Sequence, residues 1–550
     1  MSVFMRRALP RLWPWLLLLA ASLASWTLLL ETILFPHFFL LEPAMSHRLT
    51  WWLLPPLLVI GALFTGAWGV GGMRAQAAEL LQQQQARQHA DQQAAQAASA
   101  AQAQARQQFS LEIRSVGITI DRYRQMQVWQ QLDQVNQPQK SILSQNPNDY
   151  EWAADTRSLQ SDNRAANAFE NAVRSWVERW PIPVLVADAT GMGTLRLALV
   201  RQDAGLGIHL FTGLGAHKGE GADTLVQQLF QVFDENPELP AVVMFSDDSQ
   251  ENQPNCKDAR FVPTLPDSMV AILVTRTDRV NQFIRPYTVD VPYAITMDDT
   301  QYDVIKLWNF YWDQDTTYRH SAHAGDSMPS HYWNEKAKTL IAQVDANGSQ
   351  GGLLPFWNNS KAGFKPSPWV PVRWTKWQLE DEYDRAPIVG HLHRPIEVNL
   401  AGKNETQKAE AMAQGWKQAL ATLPDGSDKP TWLFYDPGTD GKQVIPLSRA
   451  MSQDGTPEPI DLSDHQHSYD LSTRIGNTGV SSPFVQLGLA TMRSYHHGGV
   501  SATVNLRQPD RASIILVSPP TAAEKAHNQP NPNDPHYDPN DPNPFVNRVR

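Results

Sequence analysis

Two stretches without charge open the chain. Residues Leu12–Leu30 and Leu49–Met73 contain no Asp, Glu, Lys or Arg, and each reaches the roughly 20 residues that a helix needs to cross a hydrocarbon core. Glu31, His37, Glu42, His47 and Arg48 lie between them, Arg6, Arg7 and Arg11 precede the first, and Arg74 follows the second. Basic residues at span ends favour the cytoplasmic side. The pattern therefore predicts a membrane hairpin over residues 1–74 with both ends inside and everything after Arg74 in the cytoplasm. Met5–Arg7 and the Leu run also have the form of a cleaved signal peptide, and its removal would still leave the body inside. Only if Pro55 and Pro56 kept the second stretch from spanning would the body be exported.

Residues 75–108 are almost entirely Ala and Gln, both strong helix formers. A helix of that length extends on the order of 50 Å, as a stalk or as a low-complexity linker. No apolar a/d seam continues beyond Leu80–Leu81, so a coiled coil is not predicted.

Apolar runs of strand length begin at Phe109. Leu111–Ile120 reads as a strand and Tyr123–Leu132 as a short helix, while Ala165–Trp180 is an amphipathic helix stopped by Pro181. Strands are predicted at Val184–Ala187, Leu195–Val200, Ile208–Thr212, Ala241–Phe245 and Met269–Thr275, with a helix at Ala222–Phe233. The order strand, helix, strand recurs at Pro395–Leu400, Glu405–Leu423 and Thr431–Tyr435. A helix at Pro483–Tyr495 and strands at Val500–Leu506 and Ser513–Val517 follow. Short β-rich runs alternating with helices define an α/β fold. QVFDENPELPAVVMFSD (Gln231–Asp247) and LATLPDGSDKPTWLFYD (Leu420–Asp436) share a helix, a Pro turn, a strand and a closing Asp. They suggest a duplication, with residues 109–350 and 351–520 as two α/β domains hinged near Asn347–Gly352. Residues 521–550, dense in Pro, Asn and Asp, are expected to be extended or disordered.

The net charge of −10 argues against a nucleic-acid partner, which needs a basic surface. The single cysteine, Cys256, excludes an internal disulfide framework and a cysteine-based zinc site; in its polar loop beside Lys257, without a histidine base, it is expected to be inert. Gly213, Gly215 and Gly219 miss the dinucleotide spacing, and Lys218 precedes Gly219, so the P-loop pattern fails too; a flexible βα loop is the better reading of Gly205–Gly221. Four histidine pairs stand out: His320/His323, His391/His393, His465/His467 and His496/His497. Alternating histidines on a strand can chelate a metal given a third ligand, which makes His391/His393 and His465/His467, with Asp464 and Asp470 nearby, the candidates. Asp247/Asp248 and Asp298/Asp299 follow predicted strands and suit acid–base work, Mg²⁺ or turn capping. No G-x-S-x-G elbow is present. These residues do not assemble into a recognisable active site.

Three stretches carry a family likeness: WVERWPIPVLVADATGMGTLRLALV (Trp176–Val200), PFWNNSKAGFKPSPWVPVRWTKWQLEDEYDRAPIVGHLHRPIEV (Pro355–Val398) and VSSPFVQLGLATMRSYHHGG. Through them residues 110–520 resemble the type VI secretion lipase-adaptor family, with N- and C-terminal adaptor domains. The resemblance implies a non-enzymatic protein without cofactor or metal. It would bind a phospholipase effector and help load it onto the secretion machinery, through a spike protein, with the hairpin tethering it to the bacterial inner membrane. The Trp-dense strip Trp369, Trp374 and Trp377 is the candidate partner-binding surface. A membrane-tethered metal hydrolase using the His and Asp pairs, or a structural envelope component, are the alternatives.

Overall fold

The computed structural model describes residues 12–34, 45–134, 140–150, 154–173, 177, 180–189, 193–204, 210–219, 221–249, 262–290, 373–528 and 545, with a few positions between 313 and 370. The chain forms two compact units, Met1–Gln104 and Ala105–Arg550.

In the first unit, helix α1 (Leu12–Leu29) continues into a π-helical turn, Leu30–Leu34. Helix α2 (Met45–Gln107) runs unbroken through Pro55 and Pro56 into the Ala/Gln segment. Both helices contain a stretch long and apolar enough to cross a membrane, Trp13–Thr32 and Leu53–Val70. Two of their hydroxyls bond within the helix: Thr27 donates to the Leu23 carbonyl and Thr65 to that of Gly61, each at 2.9 Å. This is what a lipid solvent requires of a polar group. The rings of Trp15 and Phe64 meet edge to face at 5.4 Å.

The second unit is α/β. Its strands are β1 (Leu111–Ile120), β2 (Tyr123–Arg124), β3 (Pro181–Asp188), β4 (Leu210–Lys218), β5 (Ala241–Asp248), β6 (Ser268–Thr275), β7 (Gly390–Leu392), β8 (Ile396–Asn399), β9 (Pro430–Asp436), β10 (Ser468–Asp470), β11 (Val500–Gln508) and β12 (Arg511–Ser518). Its main helices are α3 (Met126–Gln134), α4 (Ala154–Val173), α5 (Gly193–Asp203), α6 (Thr224–Glu235), α7 (Glu405–Leu420), α8 (Val444–Met451), α9 (Ser482–His497) and α10 (Ala522–His527). The described strands join in one sheet, ordered β10-β9-β11-β12-β7-β1-β6-β5-β3-β4, with β2 on β1 and β8 on β12.

That order contains the same topology twice. From the middle outward, one half runs β1-β6-β5-β3-β4, antiparallel at the first two junctions and parallel at the next two. The other runs β8-β12-β11-β9-β10 with the same orientations. Helices α4, α5 and α6 occupy the connections that α7, α8 and α9 occupy in the second half. The duplication is thus real, but its correspondence differs from the one read off the sequence. β9 matches β3, not β5, so Asp436 is the counterpart of Asp188. The helix–turn–strand texture repeats at every crossover and cannot by itself choose among them.

Two other expectations change. Leu195–Val200 lies within helix α5, not in a strand: Leu197 and Val200 are buried while Leu199 is exposed, the three-residue spacing of a helix face. The Gly-rich stretch is largely strand β4, parallel to β3, with a register shift where Val184 pairs Gly213 and Leu185 pairs Gly215. Glycine within a strand commonly marks such a bulge.

The strands β3, β5 and β6 are buried along their whole length, as expected of strands covered on both faces. Helix α4 packs on β1 and β6, and α5 on β3 and β4, over a core holding Phe169, Trp180, Phe245 and Trp374. On the far side of the second half, α7 and α8 cover a core with Met412, Trp416 and Leu447. A third core, drawn from both halves, holds α6 and α9. Helix α9 touches β1 and β6 of one half and β9, β11 and β12 of the other. Its residues from Ser482 to Tyr495 are all buried, the mark of a helix enclosed on every side.

Candidate functional site

The tryptophan strip lies ahead of β7; Trp369 and Trp374 stand outside helix and strand, while Trp377 sits in a helical turn leading into a π-helix over Gln378–Tyr383. Trp369 is 1% exposed and donates its indole N–H to Asn236 Oδ1 at 3.0 Å, beyond the end of α6. Trp374 is equally buried, edge-on to Trp180 at 5.7 Å and tilted against Tyr383 at 5.9 Å. The strip is pinned by backbone hydrogen bonds: Val289 N–H donates to the Trp374 carbonyl at 2.9 Å, and Lys376 N–H to the Val289 carbonyl at 2.7 Å. Trp377 is half-buried, next to the exposed Lys376, whose ammonium pairs with Asp290 at 3.0 Å. Of the three rings, Trp377 is the one that reaches the surface.

The carboxylates at the strand ends are held by arginines. Asp247, ending β5, bonds Arg196 of α5, which also bonds Asp162 at 2.5 Å. Burial pushes the Asp247 carboxyl up to about 6, opposed by Arg196 and aided by Asp188 and Asp267. Its carboxyl group faces the Arg196 guanidinium. Asp248 accepts the Val480 N–H at 2.8 Å. Asp267 accepts from Ser161 at 2.9 Å and from Arg164, which also reaches Asp121 at 3.4 Å. In the second half, Asp436 accepts from Ser482 at 2.5 Å and pairs with Arg507 at 3.1 Å. Carboxylates locked in this way act as struts between elements.

The histidine pairs are engaged separately. His391 pairs with Glu524 at 3.0 Å. His393, 1% exposed, has Nδ1 at 3.2 Å from the Thr422 carbonyl and Nε2 at 2.9 Å from Ser518 Oγ. Burial, and then the nearby His391, bring its pKa down to about 4. His467 lies 2.7 Å from Asp464 and stacks on Trp432, ring centroids 4.9 Å apart. Among the described residues no three His, Cys, Asp or Glu side chains converge as a metal site would need. Cys256, Asp298/Asp299, His320/His323 and the hinge at Asn347–Gly352 lie outside the described residues.

A further cluster gathers at the end of α9. Arg493 places its guanidinium 3.7 Å over Trp432 and 5.1 Å over Trp129, and reaches Asp133 at 3.5 Å. The exposed His497 meets both indoles edge-on, at 6.2 and 6.3 Å. Trp129, Trp432 and Arg493 are buried, so the cluster ties α3 and β9 to α9, and His497 is its exposed member. An arginine within an apolar helix, followed by His-His-Gly-Gly, is the one trace of this cluster in the sequence.

Residues 109–266 match the family model described as type VI lipase adapter protein Tla3, N-terminal, and residues 389–519 match its C-terminal counterpart. Together the matches cover more than half of the chain. Solved structures similar to this chain include an oxazolomycin ketosynthase domain from Streptomyces albus JA3453, at 9% identity and TM-score 0.38 over 75% of this chain and 96% of that one. The peroxisomal 3-ketoacyl-CoA thiolase of Saccharomyces cerevisiae gives 8% and 0.37 over 75% and 98%. The 3-oxoacyl-[acyl-carrier-protein] synthase III of Aquifex aeolicus VF5 gives 9% and 0.32 over 74% and 99%. Similarity this distant bears on neither the fold nor the chemistry of the chain.

Proposed function

This chain belongs to the type VI lipase adapter family, and from that premise we propose a non-enzymatic, membrane-anchored adaptor. It binds a phospholipase effector in the cytoplasm and helps deliver it to the type VI secretion machinery, through a spike protein. The observation that carries the proposal is the pair of family matches, one in each half of the sheet. In this reading residues 109–350 and 351–520 are two adaptor domains. Residues 1–74 tether them to the inner membrane, and the helix over 75–108 sets their distance from it. Trp377 is the ring of the strip offered to a partner, with Trp369 and Trp374 fixing the segment from inside.

The test is capture of bound proteins by the full chain, solubilised from its native cell in mild detergent, with mass spectrometry of what is retained. Recovery of a phospholipase, lost or reduced several-fold by Trp377→Ala with folding intact, is expected. A folded, monodisperse bait that retains neither a phospholipase nor a spike protein overturns the adaptor. Topology has its own probe in the single cysteine: a membrane-impermeant maleimide should label Cys256 only after the inner membrane is opened. Labelling in spheroplasts would place the body outside.

A further inference from the structure

Beyond β12 the chain is held at two described places. At the first, Thr521 caps α10 with its hydroxyl, and Glu524 bonds back to the Thr521 N–H. Glu524 also pairs with His391 on β7 at 3.0 Å. Lys525 donates to the Tyr495 carbonyl at 2.7 Å with its ammonium 4.9 Å over the Tyr495 ring. Asn528 accepts the Ile388 N–H at 3.0 Å and donates to the Ile388 carbonyl at 2.6 Å. The second point is Phe545. Its ring is 2% exposed and belongs to the core shared by both halves. It stands edge-on to Tyr495 at 5.4 Å and tilted against His496 at 5.7 Å.

We propose that the end of α9 carries a docking pocket for an aromatic side chain on a segment of proline-rich sequence, and that the chain's own Phe545 is its resident ligand. Three observations support this. Both topological repeats are closed in the chain before the tail begins, the first by β6 and the second by β12. A segment of Pro, Asn and Asp has no other large apolar side chain to hold it: between Asn528 and Phe545 stand only polar residues, prolines and Tyr537. The pocket shares the end of α9 with the exposed His497 and with Arg493, which packs on the buried Trp129 and Trp432. A tether this short supplies a local concentration on the order of millimolar. An aromatic plug that is weak by itself therefore stays seated, yet a better ligand can displace it. A protein that uses this face must remove Phe545 first.

The experiment uses a fluorescent peptide of residues 537–550 and the full chain in detergent. The wild-type chain should bind the peptide at least about tenfold more weakly than a chain ended after Asn528, because the pocket is filled in cis. Phe545→Ala in the otherwise complete chain should open the pocket equally, which keeps the test valid if the shortened chain folds poorly. A dissociation constant at or below about 0.1 mM is expected for the opened chains, since a local concentration on the order of a millimolar then weakens wild-type binding about tenfold, with binding lost when the peptide carries Phe545→Ala. Equal binding by wild type and Phe545→Ala, or a peptide indifferent to loss of its ring, overturns the proposal. Both readouts are independent of any lipase, so failure of the adaptor reading leaves them standing.

Discussion

The two halves of the sheet solve one packing problem in opposite ways. Each brings a helix close onto the strand at the middle of the sheet, α4 onto β1 and α7 onto β8. In the first half the strand gives way: a Cβ on Gly117 would lie 1.7 Å from the carbonyl oxygen of Ala168 in α4. In the second half the helix gives way: a Cβ on Gly415 would lie 2.3 Å from Cγ2 of Val398 on β8. The topology demands the close approach but leaves open which partner supplies the missing side chain. Repeated architecture therefore need not leave repeated sequence, even at its tightest contact.

The largest effect is expected where the obstacle is backbone. Gly117→Ala must push α4 off β1 and should cost about 3 kcal/mol or more, read as a lowered urea midpoint. A loss under about 1 kcal/mol would show that the approach is looser than 1.7 Å implies. Nearly as large is the pH dependence at the seam between the halves. His393 is held down to about 4 by burial, against an ordinary 6.5. Below pH 6.5 the unfolded chain binds the proton that the folded chain refuses, so stability present above 6.5 is lost as pH falls through 4. That contributes about 3 kcal/mol over the range, and His393→Gln should flatten the slope of unfolding free energy between pH 7 and 4.

The outer cores offer a subtler contrast. Among the described residues the Trp374 indole N–H meets no acceptor, whereas Trp416 donates to the Pro457 carbonyl at 2.8 Å. Trp416→Phe should cost about 1–2 kcal/mol more than Trp374→Phe, because it strands the Pro457 carbonyl. Equal losses would mean that packing alone decides both sites. The smallest effect belongs to Gly415→Ala, where the obstacle is a side chain that can turn and the new alanine favours the helix. We expect about 1 kcal/mol, and a double change with Val398→Ala that loses less than the sum of the two.

Much of this was legible in the chain. Continuous apolar runs marked β1, β3, β5 and β6, and Pro483–Tyr495 read as a helix, though its burial on every side did not show in the sequence. Gly-rich and mixed stretches were not legible: Leu210–Lys218 is a strand because β3 pairs with it, and Leu195–Val200 a helix because one face meets the core. Aromatic density at Trp369–Trp377 identified an important segment without its orientation. The sequence past Ala523 lacks the means to fold alone, yet α10 and Phe545 are fixed by partners more than 30 residues away or across the core, which no local pattern encodes.

Composition and periodicity determined the membrane-length helices, the α/β class, the recurring unit and the family texture, because each depends on residues near one another in the chain. Tertiary structure alone decided which strands correspond, which tryptophans face inward, that the described histidines answer to separate partners, and that Phe545 is buried. Those outcomes turn on contacts between distant segments, whose free energy exists only once the sheet has brought them together.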